Sequence, residues 1–257
     1  MSDAFYVGAV GLQAQERALN VISNNIANIN TPAFKRSDVR FSAMIAARND
    51  PDAPPASLAD GFAAAGVMAN AAPAMDEAGV LQNTGRPMDL AVQGRGFIEL
   101  MGPGGQTLLW RGGTLKIGED GMLAAADSGL PLKAAITMPQ DASGLTIGSD
   151  GTVRAVTSSD AEPVEIGQIA LVTADDVSGF GALDGGLYQV PDDSRLRAAR
   201  PGEDGAGMLV QGSVERSNVE MSSEMVQLML VQRAYAANAQ IVQAADQLMA
   251  IANGLRR

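Results

Sequence analysis

Histidine and cysteine are both absent from the 257 residues, and the two gaps exclude much of enzyme chemistry. No Ser-His-Asp triad, thiol nucleophile, disulfide, zinc finger or His-ligated metal site can be built without them. Lysine is nearly missing as well, with Lys35, Lys116 and Lys133 making the whole set. Aromatic residues are few (Trp 1, Tyr 3, Phe 6) in a chain that is 46% hydrophobic, so small apolar side chains must do much of the packing. Positive charge is short: 18 Lys and Arg face 29 Asp and Glu, a net charge of −11. An acidic chain repels phosphate backbones, and no nucleic-acid partner is expected. No run approaches the apolar length of a membrane span, and no membrane insertion is expected. The blandest stretch, 63–72, is interrupted by Gly66 and Asn70. The opening segment MSDAFYVGAVGLQAQ has no basic region followed by an apolar one, so it does not read as a secretory signal peptide.

What is present is an order of textures. Residues 4–27 contain no proline, and Phe5, Leu12, Leu19 and Ile26 are spaced by seven with Ala9 and Ile22 between. That spacing predicts a helix near the coiled-coil period, stopped where Pro32 pushes Thr31 out of the helical region. Residues 222–255 repeat the pattern. Leu228, Tyr235, Val242 and Met249 form one row of sevens, Ile241, Leu248 and Leu255 a second, and Val231, Ala245 and Ala252 a third broken by Asn238. Ser222 suits the N-cap, Glu224 the first turn, and Gly254 with Arg256 and Arg257 the end. About 34 helical residues would span roughly 50 Å.

Between the helices lie two further zones. Residues 49–73 are rich in Ala, Pro, Asp and Ser, and read either as an extended or mobile connector or as a loop on one larger domain. Residues 75–215 show short apolar runs at 88–93, 96–100, 107–111, 114–117 and 167–172. The tetrapeptide Gly-(Glu/Ser)-Asp-Gly recurs at 118–121, 148–151 and 202–205, a turn signal between strands. Its spacing fits neither calcium loop pattern.

Enzyme motifs are wanting. Gly94-Arg95-Gly96 lacks the third glycine of a dinucleotide fingerprint, and no Walker A or G-x-S-x-G sequence exists. Asp175-Asp176 and Asp192-Asp193 read as solvated loop charges, and Trp110 as core rather than a sugar platform. The expected fold is α+β, with long N- and C-terminal helices pairing as a coiled-coil-like bundle and a mainly β middle domain. Its expected divisions are 1–36, 37–74, 75–215 and 216–257. One shorter helix cannot cover the broad apolar face of the C-terminal one. Further copies of the chain would cover it, or the helices would pack on the β domain. Asn24, Asn25, Asn28, Gln232, Asn238 and Gln243 would either fix helix register or cap ends and face water.

The run Leu12-Gln-Ala-Gln-Glu-Arg-Ala-Leu-Asn-Val-Ile-Ser-Asn-Asn-Ile-Ala-Asn-Ile-Asn-Thr-Pro-Ala-Phe-Lys-Arg36 resembles the amino-terminal signature of bacterial flagellar rod and hook proteins. Gly212-Ser-Val-Glu-Arg-Ser-Asn-Val219, Glu224-Met225 and Gln232-Arg-Ala-Tyr235 resemble the other end of the family. Arg86-Pro-Met-Asp-Leu-Ala-Val-Gln-Gly-Arg-Gly-Phe97, Arg111-Gly112-Gly113 and the run from Ile147 resemble its middle. Ala33 departs from the family's usual Gly, Ala236 from an acidic residue and Trp110 from Thr. The resemblance implies a non-catalytic axial subunit without cofactor or metal, forming a helical homopolymer that spans the periplasm as the rod. It implies export by the flagellar type III apparatus without a cleaved signal peptide. Implied neighbours are other rod and hook proteins and the surrounding basal-body rings. Subunit assembly would then rest on Leu12, Leu19, Ile22, Asn24, Asn25, Ile26, Asn28, Leu228, Gln232, Arg233, Tyr235, Asn238, Val242 and Met249. The alternative is a carboxylate-based hydrolase with helical dimerisation arms, for which the sequence offers no acid or base.

Overall fold

A computed structural model describes residues 2–47, 62–75, 77–157, 162–177, 179–183, 185–191 and 195–254. Helix α1 (Ser2–Ala27) is followed by strands β1 (Ser37–Ala47) and β2 (Phe62–Pro73). Then come β3 (Leu81–Asn83), β4 (Asp89–Gln93), β5 (Phe97–Met101), β6 (Thr107–Trp110), β7 (Gly112–Ile117) and β8 (Leu123–Ala125). They lead to β9 (Ala142–Ile147), β10 (Thr152–Thr157), β11 (Val164–Gln168), β12 (Leu171–Ala174), β13 (Gly181–Leu183) and β14 (Leu187–Gln189). The chain closes with β15 (Leu196–Ala199), β16 (Met208–Gln211), β17 (Ser213–Glu215) and α2 (Met221–Gly254).

This architecture overturns the expected α+β fold with a coiled-coil-like bundle. Among the described residues the α-helices are two, one near each end, and strand outweighs helix by 38% to 25%. Two helices make a pair and not a bundle. Nor is the row of sevens in α1 the buried one. Leu12, Leu19 and Ile26 are half-buried, whereas Ala14, Ala18, Ile22 and Asn25 are buried. The side chain of Phe5 lies outside the described residues.

The chain divides into two compact units. The first comprises Met1–Ala27, Ser37–Ala71 and Glu220–Arg257, and the second Asn28–Arg36 with Ala72–Val219. Residues 28–36, expected to travel with the first helix, therefore belong to the β unit. Residues 37–74, expected as an extended connector, hold β1 and β2 paired with each other.

In the β unit a six-stranded antiparallel sheet runs β13-β14-β6-β5-β12-β15. A four-stranded sheet runs β16-β4-β7-β8, a three-stranded one β11-β10-β9, and β17 pairs with β3. Alternation along the strands buries both faces of the largest sheet. Ile98, Leu100, Leu108 and Trp110 join the main core with Leu90, Leu115, Leu123, Ile147 and Leu171. Phe97 and Leu109 turn the other way, into a smaller cluster with Phe180 and Tyr188. There Phe97 meets Phe180 at 5.8 Å and Tyr188 edge-on at 5.9 Å between ring centroids. Trp110, 2% exposed, is a core residue.

The apolar run 167–172 does not form one strand. It divides between β11 and β12, which lie in different sheets. Ile169 N donates to Gly151 O at the change-over, and a Cβ on Gly167 would press on Ile136. The recurring tetrapeptides are turns. Gly121 N donates to Gly118 O and Gly151 N to Gly148 O, with Asp120 and Asp150 accepting from the backbone N–H two residues on.

Candidate assembly surface

The helix unit is held by contacts that small residues permit. A Cβ on Gly8 would lie 2.8 Å from Val242 Cγ2, and one on Gly11 would lie 3.1 Å from Asn238 Nδ2. Glycine at these positions lets the two backbones approach. At the other end of α1, buried Asn25 acts as a hub. Its Nδ2 donates to Ser37 O (3.0 Å) and Glu224 Oε2 (3.2 Å), and Ser37 N donates to its Oδ1 (2.9 Å). Glu224, 0% exposed, sits in the first turn of α2, where the helix dipole favours a carboxylate. That helix begins at Met221, one residue before the expected Ser222 cap. A groove of about 470 Å³ opens between the helices, lined by Gly11, Ala14, Gln15, Leu230, Val231, Ala234 and Asn238. Gln15 Oε1 has no hydrogen-bond partner among the described residues.

Helix α2 also exposes apolar side chains, among polar ones such as Gln232, Arg233 and Gln243. Met221, Met225, Val226, Met229, Leu230, Tyr235, Ile241 and Ile251 are all more than 40% exposed. Of the residues expected in assembly, Asn25 is brought to Glu224, while Val242 and Asn238 are brought to the α1 glycines. Ile22 is buried; Leu12, Leu19, Ile26 and Leu228 are half-buried. Asn24, Gln232, Arg233 and Tyr235 are exposed. Asn28 belongs to the β unit, where its Oδ1 accepts from Thr31 Oγ1. The side chain of Met249 lies outside the described residues.

Sequence reasoning missed a second centre, in the β unit. Lys35 Nζ donates to Glu215 Oε1 (2.6 Å) and Glu77 O (2.7 Å). Arg111 Nη2 lies 3.1 Å from Glu215 Oε2, and Arg111 Nη1 donates to Gly94 O and Gly96 O. Gly79 N adds a bond to Glu215 Oε1. Tyr188 Oη donates to Ala33 O and accepts from Lys35 N. The two cations and one carboxylate are at most 4% exposed, and each is hydrogen-bonded, as buried charges require. Burial lowers the Lys35 ammonium below its ordinary pKa although Glu215 opposes this, and burial raises the Tyr188 phenol. Gly112, at φ 112°, keeps β7 against Leu90 O, where a Cβ would collide. Lys35, Arg111 and Glu215 come from the amino-terminal, middle and carboxy-terminal motifs. Their only sequence signal is that each is a charge beside a Gly- or Asn-rich motif.

Asp89, 0% exposed, forms a neighbouring polar node. It accepts from Thr84 Oγ1, Thr114 Oγ1 and Arg86 Nε. Burial is the largest single influence on its pKa and pushes it up, but the hydrogen bonds from Thr84, Thr114 and Arg86 together outweigh it, and the net shift is down. Asp175 pairs with Arg197 at the surface, and Asp192-Asp193 lie outside the described residues.

A β unit whose buried charges are hydrogen-bonded to one another and a helix unit with exposed apolar side chains suit a structural protein. The family model described as flagella basal body rod protein matches residues 5–35. The flagellar hook protein FlgE/F/G D1 domain matches 91–155, and the flagellar basal body rod FlgEFG protein C-terminal matches 210–255. The flagellar basal-body rod protein FlgG of Caulobacter vibrioides is 33% identical over 263 residues, covering 98% of this chain and 99% of that protein. FlgG of Borreliella burgdorferi is 30% identical over the whole of both chains. FlgF of Caulobacter vibrioides is 31% identical over 91% of this chain and 90% of that protein. The chain belongs to the flagellar basal-body rod family, and within it to the FlgG type. Its role is that of a structural subunit of the rod, not an enzyme.

Proposed function

We propose that the subunit polymerises helically through its terminal helices into a hollow drive shaft that carries torque to the hook. The observation behind this reading is the exposed apolar side chains of α2: Val226, Met229, Leu230 and Ile241 are each at least half exposed, Leu230 at the rim of the groove beside α1. Covering the exposed half of such a side chain contributes roughly 0.8–1.5 kcal/mol, and a polymer repeats the gain at every subunit. Leu12, Leu19, Ile22, Asn24, Asn25, Ile26, Asn28, Leu228, Gln232, Arg233, Tyr235, Asn238, Val242 and Met249 supply or support these contacts. Neighbours are further copies, other rod and hook proteins and the surrounding rings, reached by the flagellar type III route without a cleaved signal peptide. The test is Leu230→Asp, followed by sedimentation velocity and electron microscopy. Polymer should fall at least tenfold while the Trp110 unfolding transition stays in place. Normal polymer from this variant would remove the α2 face from the interface.

A further inference from the structure

Three of the methionines share one ridge of α2. Met221, Met225 and Met229 follow one another at i, i+4 and i+8, which places them along one side of the helix over about 12 Å. They are 41%, 45% and 51% exposed in the single subunit, beside Val226 and Leu230. The β unit holds two methionines of matching exposure, Met101 at 41% and Met208 at 47%. Met138, at 8%, is buried.

We infer that the Met221-Met225-Met229 ridge is an oxidation site that switches subunit assembly off. The reactant is a peroxide. The thioether sulfur attacks one peroxide oxygen, the O–O bond breaks, an S=O bond forms and water leaves with the two protons. Sulfur loses two electrons and the peroxide gains them. Each sulfoxide converts a flexible apolar side chain into a polar one. Three on one ridge put three strong acceptors where an assembly interface would have to be dry, and unmet polar groups there oppose association. Thiol-dependent sulfoxide reduction reverses the chemistry. Zero cysteines leaves methionine as the oxidisable sulfur of this chain. The inference rests on the α2 face being the assembly surface.

The experiment treats the full-length subunit with hydrogen peroxide and maps each methionine by peptide mass. Met221, Met225, Met229, Met101 and Met208 should each gain one oxygen in the free subunit. In preassembled polymer the three α2 sites should be protected at least tenfold, with Met101 and Met208 still reacting. Oxidised subunit should assemble at least tenfold less, and sulfoxide reductase should restore it. For the triple variant Met221→Leu, Met225→Leu, Met229→Leu, assembly after treatment relative to the same variant untreated should change less than about twofold, whatever its untreated level. A tenfold fall on treatment of that variant, relative to its untreated form, would place the damage elsewhere and overturn the inference, as would normal assembly of fully oxidised wild type. If oxidised wild type assembles while Leu230→Asp does not, the switch fails and the surface stands. If both assemble, the surface itself is wrong.

Discussion

Lys35 Nζ lies 2.6 Å from Glu215 Oε1, across 180 residues of chain, with both side chains almost wholly buried. The contact fastens 28–36 to β17, and it is reinforced by Ala33 N donating to Glu215 O. Replacing one member of a buried pair leaves the other charge uncompensated, at a cost of about 3–5 kcal/mol. Arg111 and Gly79 N still hold Glu215, so Lys35→Met should fall at the low end, about 3 kcal/mol. Urea unfolding followed by the fluorescence of Trp110, the only tryptophan, reads this unit directly.

Ala33 is buried at 1% with φ 57°, in the left-handed region where an L side chain is strained. Ala33→Gly relieves that strain, loses a buried methyl and loosens the unfolded chain, and these terms nearly cancel. Its stability should stay within about 1 kcal/mol of wild type. Ala33→Val adds a β-branched side chain at the same φ and should cost more than about 2 kcal/mol. Equal effects of the two variants would mean that packing, not backbone geometry, governs this position.

Asp89 ties stability to acid. Its pKa in the folded state lies below the ordinary carboxylate value, so its contribution is complete above the unfolded value near 3.8 and is lost as pH falls through the folded one. Wild type should lose stability steeply below about pH 4. Asp89→Asn should begin less stable at pH 7 and show a shallower decline. Parallel curves from pH 6 to pH 2 would show that other carboxylates dominate acid unfolding.

The helices and strands β4 to β7 were legible because proline is absent from the former and apolar runs alternate with Asp-Gly turns around the latter. The buried face of α1 was not. Gly8, Gly11, Ala14 and Ala18 carry little hydrophobic signal, yet smallness is what admits α2. The heptad spacing of Leu12, Leu19 and Ile26 pointed to a neighbouring face instead. The Lys35–Glu215–Arg111 cluster was also hidden, since each charge alone reads as solvated and their meeting depends on sheet topology. A boundary at residue 75 consequently cuts Lys35 from Glu215 and Ala33 from Tyr188. Fragment 28–219 should therefore unfold cooperatively and outlast fragment 75–215 by about 3 kcal/mol in urea. Equal stability would show that 28–36 contributes nothing to the β unit.

In the helix unit, a carboxylate placed at position 25 beside Glu224 should give a pH response of the opposite sign. Asn25 Nδ2 donates to Glu224 Oε2 at 3.2 Å between two buried residues. Asn25→Asp replaces that donor with a second carboxylate. Two such groups at this distance cannot both ionise cheaply, so one proton is held to higher pH than in the unfolded chain. The folded variant then binds more protons than the unfolded one in mildly acidic solution, and its stability rises as pH falls. Near pH 7 the start of α2 should open, and toward pH 5 a shared proton should restore the hydrogen bond. Amide exchange in 221–228 should be faster than wild type at pH 7 and converge on it, after correction for intrinsic rates, at pH 5. Asn25→Ala, which cannot share a proton, should stay fast at both values. If Asn25→Asp follows Asn25→Ala across the range, the amide acts by filling space and not by its bond to Glu224.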